Sequence, residues 1–312
     1  MEKKLLLAID GSKNSLLTLD YVQQFFEHCP EMALVLLHIL PPLPPIYQES
    51  GQMDPLSHKY IKQLKEKHKK AIEEILIASK EKFLKMGWPD SQLLISAKEK
   101  RLGFARDILF EARKGMVDAI VIGRRGLSKL EEIFLGSVSN KVIQGSKNIP
   151  IWVIGGKIKA TRILAAVDGS ENSLRAVDHL SFILNSCRDE QIEILLLHVW
   201  PGLLNFSGLM VVPDLSSLST SEEKYEKAIA PFLDRCEEII REAGISPHRI
   251  KRKICMKCPD IGNAVLSEAE EGDYGTIVIG RRGISKAKEF FLGSVSNRIL
   301  QQAAKKSIWI VS

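Results

Sequence analysis

Two stretches of the chain carry glycine, arginine and serine at one spacing. Gly123, Arg124, Arg125 and Gly126 precede Gly136, Ser137 and Val138; Gly280, Arg281, Arg282 and Gly283 precede Gly293, Ser294 and Val295. Both read G-x2-G-x9-G-S, and both follow a short apolar run, Ala119 to Ile122 or Thr276 to Ile279. The chemistry this suits is phosphate binding. Glycine at a strand end lets a backbone approach a ligand with no Cβ in the way. A helix opening at Gly136-Ser137 or Gly293-Ser294 presents unpaired amides and the positive end of its dipole, and the serine hydroxyl adds a donor. Arg124, Arg125, Arg281 and Arg282 are expected to set cations beside the phosphates.

Two acids complete a crevice on this reading. Asp10 and Asp168 each open a D-G-S after an apolar run, where a carboxylate accepts from an adenine amino group or a ribose hydroxyl; the competing role is a local cap of the turn. His38 and His198 sit in LLHIL and LLHVW without a partner acid or second histidine at useful spacing, and are read as hydrogen-bonded structural histidines. Cys29, Cys187, Cys236, Cys255 and Cys258 are odd in number and irregular in spacing, which argues for reduced thiols. Cys255 and Cys258 make one C-x-x-C, which could be a redox pair or half of a zinc site, but no second C-x-x-C or histidine pair completes a tetrahedral set, so incidental thiols are expected there rather than a metal or redox site.

The elements that must position these residues repeat. IDGSKNSLLTLDYV from Ile9 returns as VDGSENSLRAVDHL from Val167, LVLLHILPPL from Leu34 as ILLLHVWPGL from Ile194, and VIGRRGLSKLEEIFLGSVSNKVIQ from Val121 as VIGRRGISKAKEFFLGSVSNRILQ from Val278. The offsets are 158 (168 minus 10), 160 (198 minus 38) and 157 (280 minus 123). A duplication explains them, and 312 residues suit two domains of roughly 150. The boundaries fall at 1–156 and 160–312, joined by Gly155, Gly156 and a KIKA segment too short to leave slack.

Within each half short apolar runs alternate with helical patterns, the mark of an α/β fold with a parallel sheet covered on both faces. Strands are expected at Leu5 to Ile9, Leu34 to Leu40, Leu93 to Ala97, Ala119 to Ile122 and Ile149 to Ile154, and at Ile163 to Val167, Ile194 to Val199, Ile250 to Ile254, Thr276 to Ile279 and Ser307 to Val311. Ser12 and Ser15 are N-cap candidates for the first helix. Further helices cover about His58 to Met86, Phe104 to Lys114 and Ser137 to Gly145. The run KQLKEKHKKAIEEI is a solvated helix face.

Composition narrows the classes. Apolar content of 45% and charged content of 26% are those of a soluble globular protein, and a net charge of +6 spread along the chain suits small anions without pointing to nucleic acid. MEKKLLLAID is too brief for a signal-peptide core, and Leu195 to Pro213 is broken by His198, Pro201, Gly202, Asn205 and Gly208. No membrane span is expected, and the cytoplasm is the expected location.

The D-G-S after the first strand, the H-[IV] closing the second, the apolar-G-R-R-G loop and the G-S-V-S helix start together resemble the universal stress protein family, twice over and across nearly the whole chain. The glycine pattern resembles the ATP-binding branch of that family. The resemblance implies a Rossmann-like, adenine nucleotide alpha hydrolase-like fold: two open five-stranded parallel sheets of order 3-2-1-4-5. Adenine would lie near Asp10 and Ile39, or near Asp168 and Val199. The phosphates would lie on Gly123, Arg125, Gly126, Gly136, Ser137 and Val138, or on Gly280, Arg282, Gly283, Gly293, Ser294 and Val295. It implies ATP or AMP as ligand, Mg bound with the phosphates, and an internal pseudo-dimer through the fifth strands, with IPIWVIG and KSIWIVS as pairing edges. A homodimer and unknown protein partners stay open, and GLLNFSGLMVV is either a partner surface or a buried lid.

Three functions follow. The first is a regulatory or stress-response protein in which nucleotide occupancy is the signal. The second is a slow ATP hydrolase or nucleotide-dependent transferase, at most a weak ATPase, because no further acid falls inside the loops to act as base or metal ligand. The third has one half degenerate, against which both motifs are complete. There is no G-x4-G-K-[ST] and no G-x-G-x-x-G, so the P-loop and dinucleotide readings fail.

Overall fold

The computed structural model describes residues 3–27, 32–42, 55–125, 135–156, 159–185, 191–202, 217–283 and 292–312, with backbone alone at 55–58 and 217–221. The first half runs β1 (Lys3–Ala8), α1 (Lys13–Phe25), β2 (Met32–Leu40), α2 (Pro55–Lys85), β3 (Leu93–Glu99), α3 (Phe104–Lys114), β4 (Ala119–Gly123), α4 (Ser137–Gly145) and β5 (Ile151–Ile154). The second runs β6 (Arg162–Val167), α5 (Glu171–Leu184), β7 (Glu193–Trp200), α6 (Ser217–Glu242), β8 (Ile250–Met256), α7 (Ile261–Glu271), β9 (Thr276–Gly280), α8 (Ser294–Gln302) and β10 (Ser307–Val311).

The strands β1, β4, β5, β6, β9 and β10 are apolar because helices cover both their faces, as parallel strands require. Alternate residues feed two core layers. Leu5 and Leu7 of β1 join the layer under α1, α2, α5 and α6, while Leu6 joins the one containing Ile108, Val142, Val265 and Ile299 of the remaining helices. Ser12 caps α1 by accepting from Ser15 N at 3.1 Å, and Ser170 caps α5 from Ser173 N at 3.2 Å.

The sheet order is β3-β2-β1-β4-β5-β10-β9-β6-β7-β8, so each half keeps the order 3-2-1-4-5 and the two meet edge to edge. All pairs are parallel except β5 with β10, which run antiparallel with Trp152 opposite Trp309. Those two indoles are fully buried and stack at 3.7 Å between centroids, 3° from coplanar. Each finds its N–H acceptor on the opposite half: Trp152 Nε1 donates to His179 Nε2 at 3.2 Å, and Trp309 Nε1 to Tyr21 Oη at 2.9 Å. Pairing the fifth strands removes two edges that would otherwise expose unpaired backbone groups.

Candidate functional site

Two cavities open at the carboxyl ends of the strands, one in each half, where first and fourth strands diverge toward neighbours on opposite sides. That is the crevice expected of an open α/β sheet. The first, of about 370 Å³, is lined by Asp10 after β1, Ile39 of β2, Gly123 and Arg125 at the end of β4, and Gly136, Ser137 and Val138 at the start of α4. The second, of about 440 Å³, is lined by Asp168, Val199, Gly280, Arg282, Gly283, Gly293, Ser294 and Val295. Residues separated by more than a hundred positions are thereby brought to one opening in each half. Gly126 lies outside the described residues, as do Cys29, Cys187 and nearly all of GLLNFSGLMVV.

The local chemistry explains how the opening is held. Gly123 must lack a side chain: a Cβ there would stand 2.8 Å from the Asn14 carbonyl at the start of α1, and one at Gly280 would meet Asn172 at 2.8 Å. Ser139 Oγ donates to Gly123 O at 2.9 Å and Ser296 Oγ to Gly280 O at 2.8 Å, tying each helix start to its strand end. These serines also line the cavities, and sequence reasoning passed over them although G-S-V-S repeats both. Gly136 and Gly293 are extended N-cap residues that make no side-chain cap, so the first amides of α4 and α8, which belong to cavity-lining residues, are left without an intrahelical partner.

Asp10 and Asp168 take part in both roles weighed for them. Asp10 Oδ1 accepts from Ser12 N at 2.9 Å and Asp168 Oδ1 from Ser170 N at 3.0 Å, so one oxygen of each closes its own turn while the residue lines the cavity. His38 and His198 are hydrogen-bonded as expected, Nδ1 lying 2.6 Å from Ile9 O and 2.8 Å from Val167 O. Burial holds both imidazoles below the ordinary histidine range, against the opposing pull of those carbonyls and of Asp10 or Asp168. Both rings also line the cavities, which the sequence reading did not assign them. His198 Nε2 pairs with Tyr225 Oη at 2.7 Å, and Tyr225 stacks on Trp200; in the first cavity His68 occupies the side where Tyr225 stands in the second.

The arginine pairs split, which corrects the expectation that all four flank the phosphates. Arg124 turns away and is 3% exposed, its Nη1 and Nη2 donating to Leu300 O and Gln301 O at 2.6 Å each, the last turn of α8 in the other half. Arg281 does the reverse, donating to Ser146 O and to Gln144 O at the end of α4. Successive residues leaving a strand point to opposite sides, so only Arg125 and Arg282 reach the cavities. Burial, with Arg125 adjacent, lowers the Arg124 guanidinium to about 10, still charged at neutral pH. A cation at the carboxyl end of a helix is favourably placed against its dipole and its orphan carbonyls.

The cysteines bring a second correction. Cys255 and Cys258 are joined as a disulfide, not left as incidental thiols, because the end of β8 and the following turn bring their Cα atoms to 6.3 Å. Cys236 is a buried free thiol. Among the described residues no three His, Cys, Asp or Glu side chains gather to hold a metal ion, and no helix is long and apolar enough to cross a membrane.

Comparison with known proteins adds a lineage to this geometry. A model of the universal stress protein family matches residues 1–155 and again 159–312. The universal stress protein YxiE of Bacillus subtilis (strain 168) is 28% identical over 144 residues, 45% of this chain and 91% of that one. A universal stress protein of Mycolicibacterium smegmatis is 22% identical over 221 residues, covering 68% of this chain and 67% of its own. Among solved structures, a universal stress protein from Archaeoglobus fulgidus DSM 4304 aligns over 100% of this chain and 99% of that chain, with a TM-score of 0.62 and 21% identity, a likeness of fold.

Proposed function

The chain belongs to the universal stress protein family, and we propose that each of its two cavities binds an adenine nucleotide, ATP or AMP, whose occupancy serves as a signal in a stress response. The observation that carries the reading is the doubled convergence of acid, glycines, one arginine and a helix start on one opening in each half. In the proposed complex the adenine or ribose donates to Asp10 or Asp168 beside Ile39 or Val199. The phosphates rest on the first amides of α4 or α8, with Ser137 or Ser294 donating and Arg125 or Arg282 supplying charge. Gly126 and Gly283 belong to the same phosphate loop. A magnesium ion suits these cavities only as a companion of the triphosphate, since each described lining offers a single carboxylate and the nucleotide's own oxygens would supply the other ligands.

Signalling is favoured over turnover by the same carboxylate. Hydrolysis needs a residue that positions or deprotonates the attacking water. Asp10 and Asp168, the one carboxylate in each described lining, each give one oxygen to the backbone of their own turn, and in the proposed complex the other goes to adenine or ribose. The antiparallel junction of β5 and β10 is read as an internal pseudo-dimer that fixes both cavities in one body, with domains at 1–156 and 160–312.

The test is mass spectrometry of nucleotide released from purified protein, with calorimetric titration of ATP into the stripped chain. Two adenine nucleotides per chain are expected, and Gly136→Val and Gly293→Val each remove one. No released nucleotide together with no heat of ATP binding refutes the proposal, and steady phosphate release from bound ATP shifts it to the hydrolase reading.

A further inference from the structure

The turn from β8 to α7 matches the turn from β3 to α3 residue for residue, at a constant offset of 157 (250 minus 93, 261 minus 104). The two turns are held by different chemistry. In the first half the Asp107 carboxylate accepts from Arg101 N, Leu102 N and Gly103 N at 2.8, 3.0 and 3.2 Å, a clamp that needs no partner outside the turn. The position equivalent to Asp107 is Ala264, which has no carboxylate to offer. There the turn carries the Cys255–Cys258 disulfide, and a different acid, Asp260, caps α7 by accepting from Asn263 N at 3.0 Å.

The disulfide is coupled to the wall of the second cavity. Cys258 N donates to Trp200 O at 3.2 Å, at the end of β7. Between the sulfurs, Lys257 has φ of +57°, a left-handed conformation uncommon for a lysine. Its Nζ pairs with Glu222 of α6, the helix that carries Tyr225. Three residues beyond Cys258 stands Ile261, the first residue of α7, which with Trp200 and Tyr225 lines the second cavity. Both sulfurs belong to half-buried residues within reach of a small dithiol, whereas Cys236 is fully buried and its thiol is pushed up to about 12 by that burial, which removes it from exchange.

We propose that Cys255 and Cys258 are a reversible redox site that sets the ligand affinity of the second cavity and leaves the first, clamped by Asp107, insensitive. The affinity half of this inference rests on the nucleotide reading above. The reductant is a dithiol of the thioredoxin or dithiothreitol class. One of its thiolates attacks one sulfur of the pair, the S–S bond breaks and the other cysteine leaves as a thiolate that takes a proton. The second thiol of the reductant then displaces the mixed disulfide. Two electrons and two protons pass to the protein, and the reductant leaves as its own disulfide. Once reduced, the turn loses its cross-link, Lys257 is released from its left-handed conformation, and the carbonyl of Trp200 loses a fixed donor.

The experiment uses the full chain, oxidised with oxidised glutathione or reduced with dithiothreitol, titrated with ATP after the thiol content of each form is counted. Gly136→Val isolates the second cavity and Gly293→Val the first. Reduction is expected to weaken ATP binding at the second cavity roughly tenfold or more and to leave the first unchanged, with Cys255→Ser behaving as the reduced form in either buffer. Hydrogen exchange on the same two redox forms without nucleotide should show faster exchange at Trp200, Lys257 and Ile261 on reduction and no change at Leu102 and Phe104. Equal ATP affinity at the second cavity in both forms overturns the proposal. If ATP binds neither cavity in either form, the nucleotide reading falls, and the exchange data decide the redox site alone: unchanged exchange around Lys257 overturns it.

Discussion

His179 gives the interface between the halves a measurable response to acid. Its ring is 9% exposed, lies against both Trp152 and Trp309, and accepts through Nε2 the hydrogen bond from Trp152 Nε1 at 3.2 Å. An imidazolium has no lone pair there, so protonation breaks the bond and leaves a charge among indoles; burial accordingly lowers the His179 pKa to about 3. The unfolded chain takes up the same proton near the ordinary value of about 6.5. Between these values the unfolded state binds more protons than the native one. Stability therefore falls as pH falls, by about 1.4 kcal/mol per unit, or roughly 2 kcal/mol between the unfolded pKa and about pH 5. His179→Gln removes the titration and keeps a side-chain carbonyl for the indole. Urea unfolding of both proteins at about pH 7 and about pH 5 should show the wild type losing roughly 2 kcal/mol more than the variant on acidification. His38 and His198 titrate in both and cancel in the difference. An equal loss in the two proteins refutes the assignment of a neutral acceptor at His179.

Other outcomes follow from single contacts. Arg124→Ala leaves the Leu300 and Gln301 carbonyls without their buried donor and should cost roughly 3 kcal/mol in urea unfolding, whereas Arg125→Ala should chiefly weaken ATP binding at the first cavity, seen by calorimetry. Gly123→Ala drives a methyl into the Asn14 carbonyl at 2.8 Å and should destabilise the fold by roughly 1–3 kcal/mol with loss of the first nucleotide. Ser139→Ala frees Gly123 O and should cost about 1 kcal/mol of stability, with a smaller loss of ATP affinity than Arg125→Ala. Trp152→Ala empties the stack at the junction and should lower stability by roughly 3–5 kcal/mol, read from thermal unfolding.

The fold was legible because its signals are local and doubled. Apolar runs flanked by helical patterns placed every strand to within two residues; β3 and β8 extend two residues beyond Ala97 and Ile254, through Lys98 and Glu99 in the one and through Cys255 and Met256 in the other. The fixed spacing of glycine and serine likewise marked both cavity floors. What stayed hidden depends on direction and distance. Arg124 and Arg125 are one residue apart and chemically alike, and only the path of the chain out of β4 sends one to the other half and one to the cavity. His68 and Tyr225 reach the openings on α2 and α6, long helices that follow segments whose lengths fix no register. The C-x-x-C spacing permitted a disulfide, but only the path of the chain from β8 into the following turn brings the two Cα atoms to 6.3 Å.

Superposing the halves separates what the duplication kept from what it changed. Aspartate, glycines, the second arginine and the G-S-V-S start are the same in both, and all those described face the openings. The differences lie around them at equivalent positions: Tyr21 against His179 beneath the paired indoles, His68 against Tyr225 beside the cavity histidines, Asp107 against Ala264 with its neighbouring disulfide. Each swap exchanges a group by the condition that alters it. Tyr21 stays a neutral phenol, pushed above its ordinary range by burial, where His179 is neutral only until acid reaches it. The three backbone bonds at Asp107 are indifferent to reductant, and the Cys255–Cys258 closure is not. On the proposed function, two like sites in unlike surroundings would hold the same ligand under two sets of conditions, and occupancy of one site relative to the other would report on the medium as well as on the nucleotide.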